Sequence, residues 1–320
     1  MSLFRKPAEN KVGAKFALTG KAGTGKTVMA LSFPKPVAID AEMGMSFYEG
    51  GEYGKNLIGV LNTQSHRDVQ DAMDEISDSH EEMGAETLIV DSITKIRENL
   101  VKIVTTIYER RVRDKGGSAD EANTSVRSWG RVKYVMQNLQ NLMLDLSAEG
   151  VNVVYVAQSK DVKEKRGDQF VVVGQEMDAQ KGMEFDFDVV LYMFTEETAK
   201  GETAYKARVL KDRLGVFKKG QVIDSPKYDL WKDRIESRKG ETIYTSFTKT
   251  AEDDSKAYSQ EIEDESKSAL EKLTELRSSG DKETVAAIDG ALGKLEIKDI
   301  RKLTAKQTKG IEAIVTQFRS

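Results

Sequence analysis

Short apolar runs rich in β-branched residues recur along the first two thirds of the chain, at residues 15–19, 37–39, 57–61, 87–90, 152–157, 189–194 and 205–210. Each is bounded by polar or glycine-containing segments, the pattern of strands. Between several of them the apolar period lengthens. Val69, Met73 and Ile76 fall on one helical face behind Ser65, with Asp68 placed for a weak capping box. Ile93, Ile96, Leu100, Ile103 and Ile107 form a second stripe, and Trp129, Val132, Met136, Leu139, Met143 and Leu146 a third. Strands alternating with long amphipathic helices predict an α/β class with a mostly parallel sheet covered by helices.

Beyond residue 250 the pattern changes. Residues 251–268 are dominated by Glu252, Asp253, Asp254, Glu261, Glu263, Asp264 and Glu265, an acidic linker or helix entry. Residues 269–320 then read as a small α-helical module. Thr304 and Gln307 form a capping pair ahead of Ile311, Ile314, Val315 and Phe318. The expected organisation is a large α/β core over 1–250, the acidic segment over 251–268, and the helical module over 269–320. Lys294, Lys298, Arg301, Lys302, Lys306, Lys309 and Arg319 give that module a positive end that suits DNA or a protein partner.

Composition narrows the chemistry. The 320 residues are 39% hydrophobic and 32% charged, with a net charge of −4. No apolar run reaches the roughly 20 residues that a membrane helix needs. The start of the chain lacks the apolar centre of a secretory signal, so a cytoplasmic protein is expected, in the host's cytoplasm if the chain is phage-encoded. With no cysteine and only His66 and His80 as histidines, thiolate chemistry and sulfur-ligated zinc are excluded, and any metal is held by oxygen.

The sharpest motif is Gly20-Lys21-Ala22-Gly23-Thr24-Gly25-Lys26-Thr27, which fits G-x-x-x-x-G-K-[ST] between an apolar strand and a helical run. Glycines let main-chain N–H groups wrap phosphate oxygens, and a helix start favours an anion. Lys26 would neutralise the β- and γ-phosphates of ATP and the Thr27 hydroxyl would complete the shell of Mg²⁺. The apolar strand ending in Asp91 supplies the second oxygen ligand, as a Walker B carboxylate.

Pro36-Val37-Ala38-Ile39-Asp40-Ala41-Glu42 resembles the RecA-family strand that delivers a water-activating glutamate, which makes Glu42 the general base. Asn152-Val153-Val154-Tyr155-Val156-Ala157-Gln158 is similar to the strand whose glutamine senses the γ-phosphate and opens the second DNA-binding loop. Lys206-Ala207-Arg208-Val209-Leu210-Lys211-Asp212-Arg213 resembles the late strand whose basic residues, here Lys211 and Arg213, reach a neighbouring subunit's ATP. Together with the Asp-Ser-Ile after Walker B and the Trp129-Gly130 helix, the resemblance is to phage-type nucleotide-binding ATPases, including Sak-type single-strand annealing proteins. It covers residues 4–220 and implies a RecA-like P-loop core and a homo-oligomer with an intersubunit ATP site. Single-stranded DNA would be held by Arg110, Arg111, Arg113 and Lys115 in one loop and by Lys160, Lys163, Lys165 and Arg166 in another. No aromatic interleaves these basic residues in that reading, so stacking on bases is weakly supported. A hexameric helicase-like or packaging motor, and a nucleotide switch acting on a protein partner, remain open on the same scaffold.

Overall fold

A computed structural model describes residues 10–114, 116, 126–167, 169–238, 240, 246–266, 268–279, 281–297 and 303–318. The chain divides into two compact units, Met1–Thr248 and Lys249–Ser320.

The first unit is built on one sheet. Its strands are β1 (Lys15–Gly20), β2 (Pro36–Asp40), β3 (Gly59–Asn62), β4 (Thr87–Asp91), β5 (Asn152–Arg166), β6 (Gln169–Met177), β7 (Val189–Glu197), β8 (Thr203–Asp212) and β9 (Val222–Asp224). The spatial order is β3-β2-β4-β5-β1-β7-β8-β9, with β6 paired to β5 off this path. From β3 to β7 every neighbouring pair is parallel, and β8 and β9 add antiparallel strands at one side. This is the mostly parallel α/β sheet that the alternating pattern predicts.

Strand periodicity divides the core in two. Ala17, Leu88, Val90, Val153, Tyr155 and Ala157 pack with Val69, Met73, Ile96 and Met136 on one face. Phe16, Leu18, Ile89, Val154 and Val156 pack with Met29, Leu31, Phe33 and Trp231 on the other. Successive residues of each central strand thus serve opposite layers, so these strands read as continuous apolar runs.

Around the sheet lie α1 (Lys26–Leu31), α2 (His66–Met83), α3 (Ile93–Asp114), α4 (Val126–Ala148) and α5 (Asp229–Glu236). Ser65 caps α2 by accepting from Asp68 N at 3.3 Å, while the Asp68 carboxylate takes the Thr63 hydroxyl at 2.6 Å. Two of the expected stripes are only partly covered. Ile93, Ile96 and Leu100 are buried, but Ile103 and Ile107 are exposed because α3 continues past the packed layer. Trp129 is likewise exposed at the start of α4, whereas Val132 to Leu146 of the same stripe are buried.

Residues 251–266 of the acidic segment lie in α6 (Phe247–Ser266), which runs from the end of the first unit into the second; α7 (Ala269–Ser279), α8 (Lys282–Gly293) and α9 (Ala305–Phe318) follow. Leu273, Ile288, Ile311, Ile314 and Val315 form the second unit's core. Thr304 and Gln307 cap α9 reciprocally, Thr304 N donating to Gln307 Oε1 at 3.0 Å and Gln307 N to Thr304 Oγ1 at 3.3 Å. Lys298, Arg301, Lys302 and Arg319 of the positive end lie outside the described residues. Among the described residues no helix is long and apolar enough to cross a membrane.

Trp231 joins α5 to the first unit's core. Fully buried, it meets Phe16 and Phe217 edge-on at 5.3 and 5.0 Å, and its Nε1 donates to Asp212 Oδ2 at 3.1 Å. Truncation to alanine removes both ring contacts and the bond, so Trp231→Ala should lower the unfolding free energy by about 3–5 kcal/mol in urea denaturation. Trp231→Phe, which keeps an aromatic ring, should lose less.

Candidate active site at the carboxyl ends of the strands

Strand register gathers the motif residues at one edge of the sheet. Asp40 pairs with Asp91, Asp91 with Val156, and Gly20 with Gln158. Residues just past these strand ends therefore converge, where a parallel sheet offers its ligand crevice.

The loop leaving β1 needs glycine for two physical reasons. A Cβ on Gly20 would lie 2.3 Å from the main-chain oxygen of Met193. Gly25, the N-cap of α1, sits at φ 82, a left-handed conformation that side chains disfavour. Thr24 Oγ1 braces the turn by donating to Lys21 O at 2.9 Å. Lys26 is folded back on the same carbonyl, with Nζ donating to it at 2.7 Å. Burial lowers the Lys26 pKa, opposed by the charges of Asp91 and Glu42. Tyr205 on β8 covers the loop from outside: its Cδ1 would stand 3.0 Å from a Cβ at Gly25.

Thr27 and Asp91 are directly joined, Thr27 Oγ1 donating to Asp91 Oδ2 at 2.6 Å. Burial pushes the Asp91 carboxyl up to about 6, and nearby Glu42 and Asp40 act in the same direction. A hydroxyl and one carboxylate are a hard, oxygen-only donor set that suits Mg²⁺ completed by phosphate oxygens and water. Beside them, Asp40 shapes the turn after β2 by accepting from Glu42 N at 3.1 Å and Met45 N at 2.8 Å. This turn presents Glu42, whose Oε1 accepts from Ser92 Oγ at 2.6 Å and from Gln158 Nε2 at 3.2 Å. Ser92, read from the sequence only as the middle of Asp91-Ser92-Ile93, stands here as the donor that holds Glu42.

Other sequence-nominated residues lie elsewhere. Lys211 and Arg213 stand at the opposite end of the sheet from the loop of their own chain, Lys211 in register with Val190 and Asp212 with Val189. Lys211 Nζ donates to Phe185 O at 2.8 Å, and Arg213 Nη1 pairs with Asp188 at 3.1 Å. Asp188 also holds Lys15 at 2.9 Å, and these side chains line a cleft of about 230 Å³ with Arg238. Between the two basic residues, Asp212 organises the next turn by accepting from Gly215 N and Phe217 N.

The expected DNA loops take regular structure. Arg110, Arg111 and Arg113 belong to the last turns of α3, where cations complement the helix carbonyls, and Arg113 pairs with Glu109 at 3.6 Å. Lys115 lies outside the described residues. Lys160, Lys163, Lys165 and Arg166 are on β5, which continues past Gln158 and forms an antiparallel hairpin with β6. Lys160 pairs with Glu176 and Asp178, and Arg166 with Glu164. Phe170, 70% exposed, stands directly across from Lys165. An aromatic therefore does accompany the basic residues; cross-strand pairing brings it there, which linear spacing did not reveal.

This sheet order, with a phosphate loop after β1 and an acidic strand end on β4, defines a P-loop nucleotide-binding α/β core. The AAA_24 family model, described as an AAA domain, matches residues 12–224, and the chain belongs to that family. Among solved structures it is similar to the KaiC-like protein PH0186 from Pyrococcus horikoshii OT3, at 16% identity and a TM-score of 0.38 over 63% of this chain and 80% of that one. No curated protein matches it.

The burial of Asp91 sets a pH dependence. With a folded value of about 6 against 3.8 when unfolded, the folded protein holds the proton more tightly, so stability present below pH 4 is lost as pH rises through 6. Asp91→Asn removes the penalty. In the absence of nucleotide and metal, its stability advantage over the wild type should grow between pH 4 and 7 by up to about 3 kcal/mol, read by thermal denaturation across pH. The same variant should lose the extra stability that Mg-ATP confers on the wild type.

Proposed function

We propose that this protein is a Mg-ATP-hydrolysing RecA-fold ATPase of DNA recombination or single-strand annealing, of phage type. It acts on single-stranded DNA as an oligomer whose ATP sites are shared between subunits. The observation that carries the reading is the double membership of Gln158. Its side chain donates to Glu42 beside the phosphate loop, and its strand continues into a basic hairpin with an exposed phenylalanine.

In the catalytic cycle, main-chain N–H groups of residues 20–27 hold the phosphates of ATP and Lys26 leaves the Lys21 carbonyl to meet them. Thr27 and Asp91 would hold Mg²⁺, which would offset the charge of the phosphates. Ser92 and Gln158 fix one oxygen of Glu42, and its other oxygen orients a water and accepts its proton. The water oxygen bonds to the γ-phosphorus as the bridge to the β-phosphate breaks, and ADP and phosphate leave. Developing charge is met by Lys211 and Arg213 of a neighbouring subunit. Their position at the far end of the sheet supports that assignment, because it removes them from their own loop. Lys163 and Lys165 neutralise DNA phosphates while Phe170 offers a face for a base.

The test is ATP turnover against protein concentration, with and without single-stranded DNA, for the wild type, Lys26→Ala, Arg213→Ala and a mixture of the two variants. Each variant alone should lose turnover by about 100-fold or more. The mixture should recover part of it, and DNA should stimulate the wild type. Turnover that ignores DNA and protein concentration, with no recovery on mixing, would instead mark a self-contained nucleotide switch. Phe170→Ala combined with Lys163→Ala and Lys165→Ala should weaken DNA binding and flatten its salt dependence by about two charges while leaving DNA-free turnover unchanged.

A further inference from the structure

The hairpin leaves the sheet at Gln158 and returns at Asp178, and both legs are tied to one buried hydroxyl. Gln158 N donates to Thr94 Oγ1 at 3.0 Å, and the same hydroxyl donates to Asp178 O at 2.7 Å. Asp178 N closes the ring by donating to Gln158 O at 2.7 Å. Thr94 is 1% exposed, in the first turn of α3, directly after the segment that carries Asp91 and Ser92.

A buried hydroxyl that both donates and accepts is a demanding arrangement, because losing either partner leaves a polar group unsatisfied in a low-dielectric setting. The outgoing and returning strands therefore move with the start of α3 rather than independently of it. That segment is bound to the nucleotide side at two further points, since Asp91 accepts from Thr27 and Ser92 donates to Glu42. Just beyond the ring, Lys160 pairs with Glu176 and Asp178 across the two legs, so the root of the hairpin is stiff.

We infer that Thr94 is the positioning residue that passes the state of the nucleotide site to the β5–β6 hairpin, by holding both of its legs to the segment bearing Asp91 and Ser92. This rests on the reading of Gln158 and Glu42 as parts of the ATP site. It adds a second link, through the main chain of the hairpin root, to the link made by the Gln158 side chain.

Hydrogen–deuterium exchange of the full-length protein, free and with Mg²⁺ and AMP-PNP, tests this. In the wild type, exchange in the peptides covering β5 beyond Gln158 and β6 should slow by about fivefold or more with the analogue. Thr94→Ser keeps the hydroxyl and should behave alike. Thr94→Val keeps the shape without the hydroxyl; it should bind the analogue within about threefold of the wild type, yet slow hairpin exchange with the analogue by only about twofold or less, the part left to the Gln158 side chain. Thr94→Ala, read in parallel, gives the same comparison if the valine variant does not fold. Hairpin protection that follows the analogue as strongly in the valine and alanine variants as in the wild type would overturn the role of Thr94. A wild-type hairpin indifferent to bound analogue would instead overturn the reading of Gln158 as a nucleotide-responsive residue, and the inference with it.

Discussion

Everything at the sheet edge is organised around a carboxylate kept away from water. Asp91 ends a strand buried on both faces, and one of its oxygens is taken by Thr27. An acid so placed is costly to ionise, and the cost is relieved when a divalent cation arrives. The Thr27 hydroxyl comes from the start of α1, so one short contact links the phosphate loop to the strand two positions away in the sheet. Glu42, Ser92 and Gln158 are arranged beside this pair, and their geometry has meaning only while the two strand ends keep their register.

The phosphate loop and the central strands were legible because their requirements are local. A glycine spacing, an apolar run and an acid at a strand end each have a direct physical reading within a few residues. The helical stripes were legible as faces, but their limits were not: Ile103 and Ile107 continue the period of α3 after the layer they would pack against has ended. The hairpin was misread as loop because Lys163-Glu164-Lys165-Arg166 has no apolar alternation, and Phe170 to Val173 no polar one. Cross-strand pairing, which no linear pattern contains, makes strands of both.

Around the site, the acids, the glycines and the Thr27 hydroxyl announced themselves, while the partners of the hydroxyls just beyond Asp91 did not. Ser92 and Thr94 became meaningful only through the partners that folding brings from residues far along the chain. The same holds for the basic pair Lys211 and Arg213 at the end of β8. Lys211 and Arg213 could be singled out by resemblance, but their place at the far end of the sheet, beside Asp188, follows from the antiparallel direction of β8.

The strand β6 bears no charge from Gln169 through Gln175, and among the described residues it pairs with β5 alone. Its outer row of amide and carbonyl groups is thus an open ladder flanked by Phe170, Val171, Val172 and Val173, all solvent-exposed. Soluble proteins usually blunt such a margin with lysine, proline or a bulge. Here the pairing shifts register once, where Val162 and Lys163 face Gly174 and Val172, and the basic charges lie on the other strand. An exposed apolar strand margin of this kind is the place on a sheet where a strand from another molecule can add.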